Sequence, residues 1–192
     1  MNLWLARHAQ PLIPSGICYG ATDVIADETL TQQAAQALAK VLPLGTLCYV
    51  SPMLRCCQLA LNLAHLRQDL NINISRCNDT RLVEMNFGRY EGQAWADIPK
   101  AAMDAWTADF GEHRFGGHES ANEVLKRVLA ALKDSQTASK NSNTNDVLWI
   151  SHAGVMQAVS LLNQSIFQVS GTIQWPRDVP NYGEFRCVKI EI

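Results

Sequence analysis

The sequence predicts an α/β fold: a three-layer sandwich in which a mainly parallel central sheet carries helices on both of its faces. One observation behind this prediction is that short apolar runs alternate with longer segments whose apolar residues recur at helical spacing. Another is that the runs 3–6 and 147–151 are each followed closely by a histidine and an alanine. Because active sites of open α/β sheets lie at the carboxyl ends of the strands, we expect the two histidines to face one pocket.

The size, charge and cysteine content of the chain limit the classes of protein to which it can belong. Its 192 residues suffice for one well-buried domain, so we expect a single domain over 1–192. The net charge of −2 gives no basic field for a nucleic acid. No apolar run approaches the roughly 20 residues of a membrane span, and the first residues lack the pattern of a secretion signal. The six cysteines have no metal-binding spacing, which predicts reduced thiols, a cytoplasmic location and no metal.

The predicted elements follow from apolar periodicity and from the residues that begin or end helices. The strands are expected at 2–6, 46–50, 71–76, 147–151 and 184–191. The helices are expected at 30–42, 52–66, 94–110, from Glu119 or Ser120 to about Lys133, and at 154–165. Thr29 is expected to cap the first helix, and Ser51, ahead of Pro52, is expected to cap the second.

Three segments have no clear periodicity. Residues 9–28 are interrupted by prolines and glycines and are expected to form an irregular loop. Residues 77–93 form a second long loop, and a structured loop of that length inside a compact domain is usually functional. Residues 135–146 are rich in Ser, Thr, Asn and Lys, which predicts a mobile surface loop.

Two arginines, two histidines and two helix starts are expected at the same edge of the sheet. Arg7 and His8 end the first strand, Arg55 lies in the first turn of the second helix, and His152 and Gly154 connect a strand to a helix. Helix N-termini attract anions through their free N–H groups, and a guanidinium adds paired donors. The set therefore predicts a pocket for a dianion, most simply a phosphoryl group.

The residue types in this set indicate phosphoryl chemistry. His8, held as a neutral tautomer, is a candidate nucleophile toward phosphorus. Glu84, in the second long loop, is the leading candidate for the acid that protonates a leaving oxygen. Glu91 is the rival donor, and we interpret it as structural. Tyr19 and Thr22 are weaker candidates for contact with a substrate, and packing explains them equally well.

Four blocks of the sequence resemble motifs of the histidine phosphatase superfamily, which includes the cofactor-dependent phosphoglycerate mutases. In the order of that family they are Arg7-His8-Ala9, Ser51–Gln58, Arg81–Gly92 and Ser151–Val155. The resemblance implies a phosphoglycerate mutase-like fold and a phosphohistidine formed at His8. It also implies that Arg7, Arg55 and His152 bind the phosphoryl group. Glu84 is then the proton donor and, in a second step, the base for water.

The first loop resembles one subgroup of the superfamily, and four positions of the chain depart from the family pattern. Cys18–Asp23 is similar to the corresponding loop of bacterial α-ribazole phosphatase-like members. Ala9 and Ala153 stand where the family usually has glycine, and Gln10-Pro11 replaces a common Glu-Thr pair. The methyl groups of Ala9 and Ala153 are expected to narrow the pocket. Gln10-Pro11 is expected to change the contacts with the part of the substrate outside the phosphate.

Three hypotheses for function follow. The leading one is a phosphoric monoester hydrolase of the histidine acid phosphatase type, without a cofactor, that acts on a small phosphorylated metabolite. α-Ribazole 5'-phosphate, sugar phosphates and phosphohistidine proteins are the candidate substrates. The second is a phosphoglycerate mutase-type phosphotransferase, and the third is a non-catalytic phosphate-binding module, which Ala9 and Ala153 alone motivate. The sequence leaves the oligomeric state open.

Overall fold

The computed structural model of the protein describes residues 1–70, 72 and 77–191. Over these residues the sheet has four strands in the order β2-β3-β1-β4. They are β1 (Asn2–Arg7), β2 (Leu47–Val50), β3 (Asp146–Ser151) and β4 (Phe185–Lys189). β3 pairs in parallel with both β1 and β2, whereas β4 runs antiparallel to β1. The strand predicted over 71–76 lies outside the described residues, apart from Ile72.

Helices cover both faces of the sheet. They are α1 (Glu28–Ala39), α2 (Leu54–Leu66), α3 (Lys100–Ala108), α4 (Ala121–Asn141) and α5 (Ala153–Asn163). Successive side chains of a strand point to opposite faces, so each strand contributes to two cores. Leu5 packs with apolar residues of α4 and α5, whereas Ala6 packs with those of α1 and α2. The predicted α/β class, with a mainly parallel sheet between helical layers, is confirmed.

The register of the sheet brings the ends of three parallel strands to one edge. Arg7 is paired with Ser151 at the ends of β1 and β3, and Val50 is paired with Ile150 in β2 and β3. His8 therefore leaves the sheet next to the residue that precedes His152, and its N–H donates to the Ser151 carbonyl. The fold thus places both predicted histidines at neighbouring positions.

Two of the predicted helix caps are wrong. The cap of α1 is Asp27, whose carboxylate accepts the N–H of Leu30 at 2.8 Å, so that the helix begins before Thr29. α2 begins at Leu54 after Met53, which gives no side-chain cap. Ser51 lies outside this helix, and its hydroxyl is 2.8 Å from the Nε2 atom of His152.

Two other expectations about the helices are also wrong. The helix predicted over 94–110 is interrupted: Trp95–Asp97 forms only a short 3-10 turn, and α3 begins after Pro99, which has no N–H for a helix interior. The loop predicted over 135–146 is helical as far as Asn141. Its polar residues are compatible with a buried helix because their hydroxyls are paired, as when Ser135 Oγ accepts the indole N–H of Trp149 at 3.1 Å.

The loop over 77–93 includes short 3-10 turns at Thr80–Leu82 and Gly88–Tyr90. It packs closely against the first loop at Gly20. A Cβ atom there would lie 2.3 Å from the Met85 carbonyl oxygen, so only glycine permits the contact. In the part of the chain described, no helix is both long and apolar enough to cross a membrane.

Candidate active site

His8 is held as a neutral imidazole with one nitrogen free. The residue follows β1 and is 2% exposed. Its Nδ1 lies 2.8 Å from the carbonyl oxygen of Ala9. Since a carbonyl can only accept, Nδ1 carries the proton and Nε2 carries the lone pair. Burial, followed by the charges of Arg55 and Arg7, lowers the pKa of His8 to about 3, so the ring is uncharged at neutral pH.

His152 stands beside this ring. The two ring centroids are 5.0 Å apart, and His152 is fully buried. Burial, the adjacent His8 and the Arg55 charge hold the pKa of His152 well below its usual range. Nε2 lies 2.8 Å from Ser51 Oγ and 3.5 Å from Cys56 Sγ, whereas the buried Nδ1 has no hydrogen-bond partner in the described ranges.

The two arginines position loops around the histidines. Arg55 is fully buried and donates to the carbonyl oxygens of Thr22, at 2.9 Å, and Gly20, at 2.7 Å. Arg7 donates to the Pro180 carbonyl at 3.1 Å. The Nε atom of each guanidinium is buried and unpartnered among the described residues. Arg7, Arg55 and His152 all lie near His8, and each keeps one buried nitrogen without a partner among the described residues. The two arginine nitrogens are donors, and His152 Nδ1 is a donor in one of the two ring tautomers.

Glu84 lies at the N-terminus of α5. Its carboxylate accepts the N–H of Met85 at 2.9 Å and the N–H of Gly154 at 3.1 Å. A Cβ atom at position 154 would lie 2.3 Å from Glu84 Oε1, so the carboxylate can occupy this place only because residue 154 is glycine. Glu84 therefore contacts the backbone of Gly154, which follows His152 by two residues.

Glu91 has a different environment. Its carboxylate accepts the N–H groups of Ala21 and Phe87, both at 2.9 Å, and the hydroxyl of Thr22. These bonds tie the first loop to the second, which agrees with a structural interpretation. The hydroxyl of Thr22 is committed to this contact, while its carbonyl receives Arg55.

Tyr182 is a residue of the site that sequence reasoning missed. Its ring lies 4.0 Å from the Arg7 guanidinium carbon and 5.5 Å, between centroids, from the ring of His8. Its hydroxyl lies 2.7 Å from that of Tyr19, whose ring in turn lies 5.4 Å from the Arg55 guanidinium carbon. No local pattern marks Tyr182, because it reaches the site from the loop before β4.

The alanines that replace glycine do not strain the backbone. Neither Ala9 nor Ala153 has a positive φ angle. Ala9 is fully buried, and Ala153 is the first residue of α5, a position where alanine is favourable. The local chain therefore accommodates both methyl groups while keeping the histidines in place.

The fold and the site define an α/β enzyme whose candidate active site, with His8 and His152, lies at the carboxyl ends of parallel strands. The model of the histidine phosphatase superfamily (branch 1) matches residues 3–168. The chain belongs to this superfamily, and it is a phosphoric monoester hydrolase. The family resemblance predicted from the four motif blocks is confirmed at this level. Within the described residues, no cluster of three or more His, Cys, Asp or Glu side chains could hold a metal ion.

Individual relatives agree with this assignment. A protein of Hydrogenobacter thermophilus named "Putative phosphoserine phosphatase 2" is 29% identical over 166 residues, covering 84% of this chain and 77% of its own. A mycobacterial glucosyl-3-phosphoglycerate phosphatase in complex with VO3 has the same fold, with a TM-score of 0.79, 21% identity and coverage of 98% of this chain and 90% of its own. The Thermus thermophilus protein TTHB049 has a TM-score of 0.66 and 25% identity, with coverage of 98% and 93%.

Proposed function

We propose that the protein hydrolyses a small phosphomonoester through a phosphohistidine formed at His8. The observation that carries this proposal is the state of His8: Nδ1 is bound to a carbonyl, the ring is neutral, and the Nε2 lone pair is left for phosphorus. The spare donors of Arg7, Arg55 and His152 support it, because charge on the three equatorial oxygens of a transferring phosphoryl group requires such donors.

In the first step, the Nε2 lone pair of His8 forms a bond to phosphorus while the bond from phosphorus to the leaving oxygen breaks. The Glu84 carboxyl group gives its proton to that oxygen, which departs as an alcohol. His152 contributes an N–H to the phosphoryl group when Ser51 donates its hydroxyl hydrogen to Nε2, because the ring proton then lies on Nδ1.

In the second step, the Glu84 carboxylate takes a proton from a water molecule, whose oxygen attacks phosphorus. The bond from phosphorus to Nε2 breaks, and its electron pair returns to the His8 ring. Inorganic phosphate leaves, and both side chains regain their starting protonation. Transfer to an alcohol instead of water would make the protein a mutase, and product analysis with a phosphoglycerate distinguishes the two outcomes.

The substrate is the finer part of the proposal. α-Ribazole 5'-phosphate is supported by the similarity of Cys18–Asp23 to α-ribazole phosphatase-like members. Phosphoserine is supported by the name of the Hydrogenobacter relative. We propose a cytoplasmic location as well, and the six free thiols support it because such thiols persist in a reducing compartment.

The proposal is tested with His8→Ala and with His65→Ala, an exposed histidine of α2, as the matched control. We expect His8→Ala to lower kcat on 4-nitrophenyl phosphate by about a thousandfold or more, since the nucleophile is lost. Alkaline quenching of the wild type during turnover of a phosphorus-labelled substrate should give a phosphoenzyme that is stable in base and labile in acid. Unchanged turnover in His8→Ala, or a phosphoenzyme that survives in it, contradicts the proposal.

A further inference from the structure

A cavity lined by aromatic side chains opens on one side of Glu84. It has a volume of about 260 Å³ and lies between the second long loop, α3 and the start of α5. Its aromatic residues are Phe87, Trp95, Trp106, Phe110 and Trp175. Such a concentration of rings around one cavity is typical of a binding site for an apolar group.

The five rings form one continuous surface, here called the aromatic wall. The ring centroids of Trp95 and Phe87 are 5.4 Å apart, those of Phe87 and Trp106 are 6.0 Å apart, and those of Trp106 and Phe110 are 5.5 Å apart. Trp175 continues the series at 5.6 Å from Phe110. Rings at these separations present edges and faces on which another flat ring can pack.

The cavity begins at the carboxylate that acts on the leaving oxygen. Glu84, Ala153 and Gly154 all line it, and the Glu84 carboxylate is bonded to the Gly154 N–H. An alcohol protonated by Glu84 has its oxygen at hydrogen-bond distance from this carboxylate. The carbon skeleton attached to that oxygen therefore starts at the mouth of the cavity.

A second opening near Glu84 is lined by polar side chains whose charges are engaged with one another. It is a cleft of about 450 Å³ that includes His118, Glu119 and Arg127. Its charges are already paired, since Arg127 binds Glu119 at 2.7 Å and also donates to the Arg81 carbonyl. A charged substituent would meet an Arg127 charge that is already paired, whereas a flat apolar substituent loses water on entering the aromatic cavity.

One polar group in the aromatic wall has no partner. The indole N–H of Trp106 is buried and makes no hydrogen bond to the described residues. Gln157, by contrast, is engaged by the indole N–H of Trp175 and by the Pro176 carbonyl. Because that nitrogen has no accessible surface, Trp106 offers a ligand only its apolar ring.

We propose that the aromatic wall binds the leaving group, so that the preferred substrates are phosphomonoesters of alcohols that carry a flat, largely apolar ring. The inference rests on the proposed function, because it takes Glu84 as the proton donor to the leaving oxygen. It adds the chemical class of the substrate outside the phosphate.

The test compares phosphates of primary alcohols, whose leaving oxygens are similarly basic. Ethyl phosphate, benzyl phosphate and 2-naphthylmethyl phosphate form the series, and phosphoserine represents a charged leaving group. We expect kcat/KM for benzyl and 2-naphthylmethyl phosphate to exceed that for ethyl phosphate by about tenfold or more. Equal values across the series, or a preference for phosphoserine, overturn the inference, and the latter assigns the leaving group to the polar cleft.

Substitutions in the aromatic wall test whether the preference for aromatic leaving groups arises there. Trp175→Ala should reduce the ratio of kcat/KM for 2-naphthylmethyl phosphate to that for ethyl phosphate, because it removes one end of the wall. Trp106→Phe keeps an aromatic ring but shortens the indole and removes its N–H, so it should lower the same ratio in part, which tests the aromatic wall even if Trp175→Ala folds poorly. Phe167→Ala is the control, since Phe167 is exposed and lines a separate cavity with Leu125 and Leu129. An unchanged ratio in a folded Trp175→Ala protein contradicts the inference.

The phosphoenzyme separates failure of this inference from failure of the proposed function. All substrates yield the same phosphohistidine, so its hydrolysis rate must not depend on the alcohol, and selectivity must appear only in its formation. If the phosphoenzyme forms at equal rates from ethyl and benzyl phosphate, the aromatic subsite is wrong while His8 catalysis stands. If no phosphoenzyme forms from any substrate, the proposed function itself fails.

Discussion

The hydroxyl oxygens of Tyr19 and Tyr182 lie 2.7 Å apart, and their contact joins the loop after β1 to the loop before β4. Each ring also packs on an arginine of the site, Tyr182 on Arg7 and Tyr19 on Arg55. Burial, followed by the bond to Tyr182, raises the pKa of Tyr19, so this hydroxyl stays protonated at neutral pH. Only one of the two hydroxyl hydrogens is used between the rings, so the pair keeps one further hydrogen to donate.

Tyr182→Phe should therefore weaken substrate binding without abolishing the reaction. The ring on Arg7 remains, while one hydrogen bond is lost, so we expect KM to rise by about threefold to tenfold with little change in kcat. Tyr182→Ala removes the ring as well and should have the larger effect. Steady-state kinetics on 4-nitrophenyl phosphate measures both, with Tyr49→Phe on β2 as the control. A wild-type KM in both Tyr182 variants would show that the tyrosine pair has no part in binding.

Ser51→Ala should reduce turnover through His152. The hydroxyl of Ser51 lies 2.8 Å from His152 Nε2 and so determines which ring nitrogen carries the proton; without it, His152 can present either tautomer. We expect kcat to fall by about tenfold, less than the roughly hundredfold or more that follows loss of a donor in direct contact with the transition state, because Ser51 acts through His152. Ser135→Ala is the matched control, because it also removes a buried serine bond, to Trp149, outside the site. Both variants should lose stability, and an equal loss of kcat in both would contradict the positioning role.

Glu84→Gln should slow the phosphorylation of His8 only for substrates whose leaving group needs a proton. 4-Nitrophenolate leaves without a proton, so its phosphate should still phosphorylate His8, whereas ethyl phosphate requires the acid. The lost base slows hydrolysis of the phosphoenzyme in either case. We expect stopped-flow traces to show a burst of 4-nitrophenol and alkaline quenching to show no phosphoenzyme from ethyl phosphate. Equal rates of phosphoenzyme formation from the two substrates would exclude Glu84 as the proton donor.

Gly154→Ala should displace the Glu84 carboxylate while leaving the fold intact. The added methyl group meets only the end of a flexible side chain, at 2.3 Å, and alanine is favourable in a helix. We expect a wild-type melting temperature and a loss of kcat on ethyl phosphate of about tenfold or more. Gly171→Ala is the control, since a Cβ atom there has no neighbour within 4 Å. Wild-type turnover in Gly154→Ala would show that this position of the carboxylate is not required.

The two buried histidines should make the protein less stable as the pH falls below neutral. The pKa of His8 is about 3 in the folded chain against 6.5 ordinarily, and the pKa of His152 is lowered in the same direction. Between these pH values each histidine is protonated in the unfolded chain and neutral in the folded chain. Each histidine then lowers the free energy of unfolding by up to about 1.4 kcal/mol for each pH unit of acidification. Urea unfolding at pH 7 and pH 5 measures this, and His8→Ala should show the smaller loss; identical losses would contradict it.

Residues with a strong local pattern were predictable from the sequence. Arg7, His8 and His152 each follow an apolar run, and the rule that parallel strands share one functional edge was enough to bring them together. Glu84 was predictable only through its motif block, because a single carboxylate in a loop carries no signal of its own. The family assignment follows from these motif blocks, whereas the substrate does not.

The features that were missed depend on tertiary contacts. Ser51 has the local pattern of a helix cap, and only the fold places His152 beside its hydroxyl. The polar residues after Lys133 suggest a loop, yet partners such as Trp149 bury them in α4. Tyr182 has no neighbouring motif and reaches His8 only through the closing loop. Pro99 was a local signal that should have divided the helix predicted over 94–110.

The position of β1 in the sheet has a consequence for synthesis and folding. β1 is synthesised before the other three strands, yet its two neighbours in the sheet, β3 and β4, are the last two of the four along the sequence. Both of its hydrogen-bonding edges consequently stay unpaired until β3 and β4 have been synthesised, and these distant pairings are slow to form. Nascent chains that stall before β3 would expose an apolar strand to association with other chains, so this protein should depend on chaperones more than its size suggests.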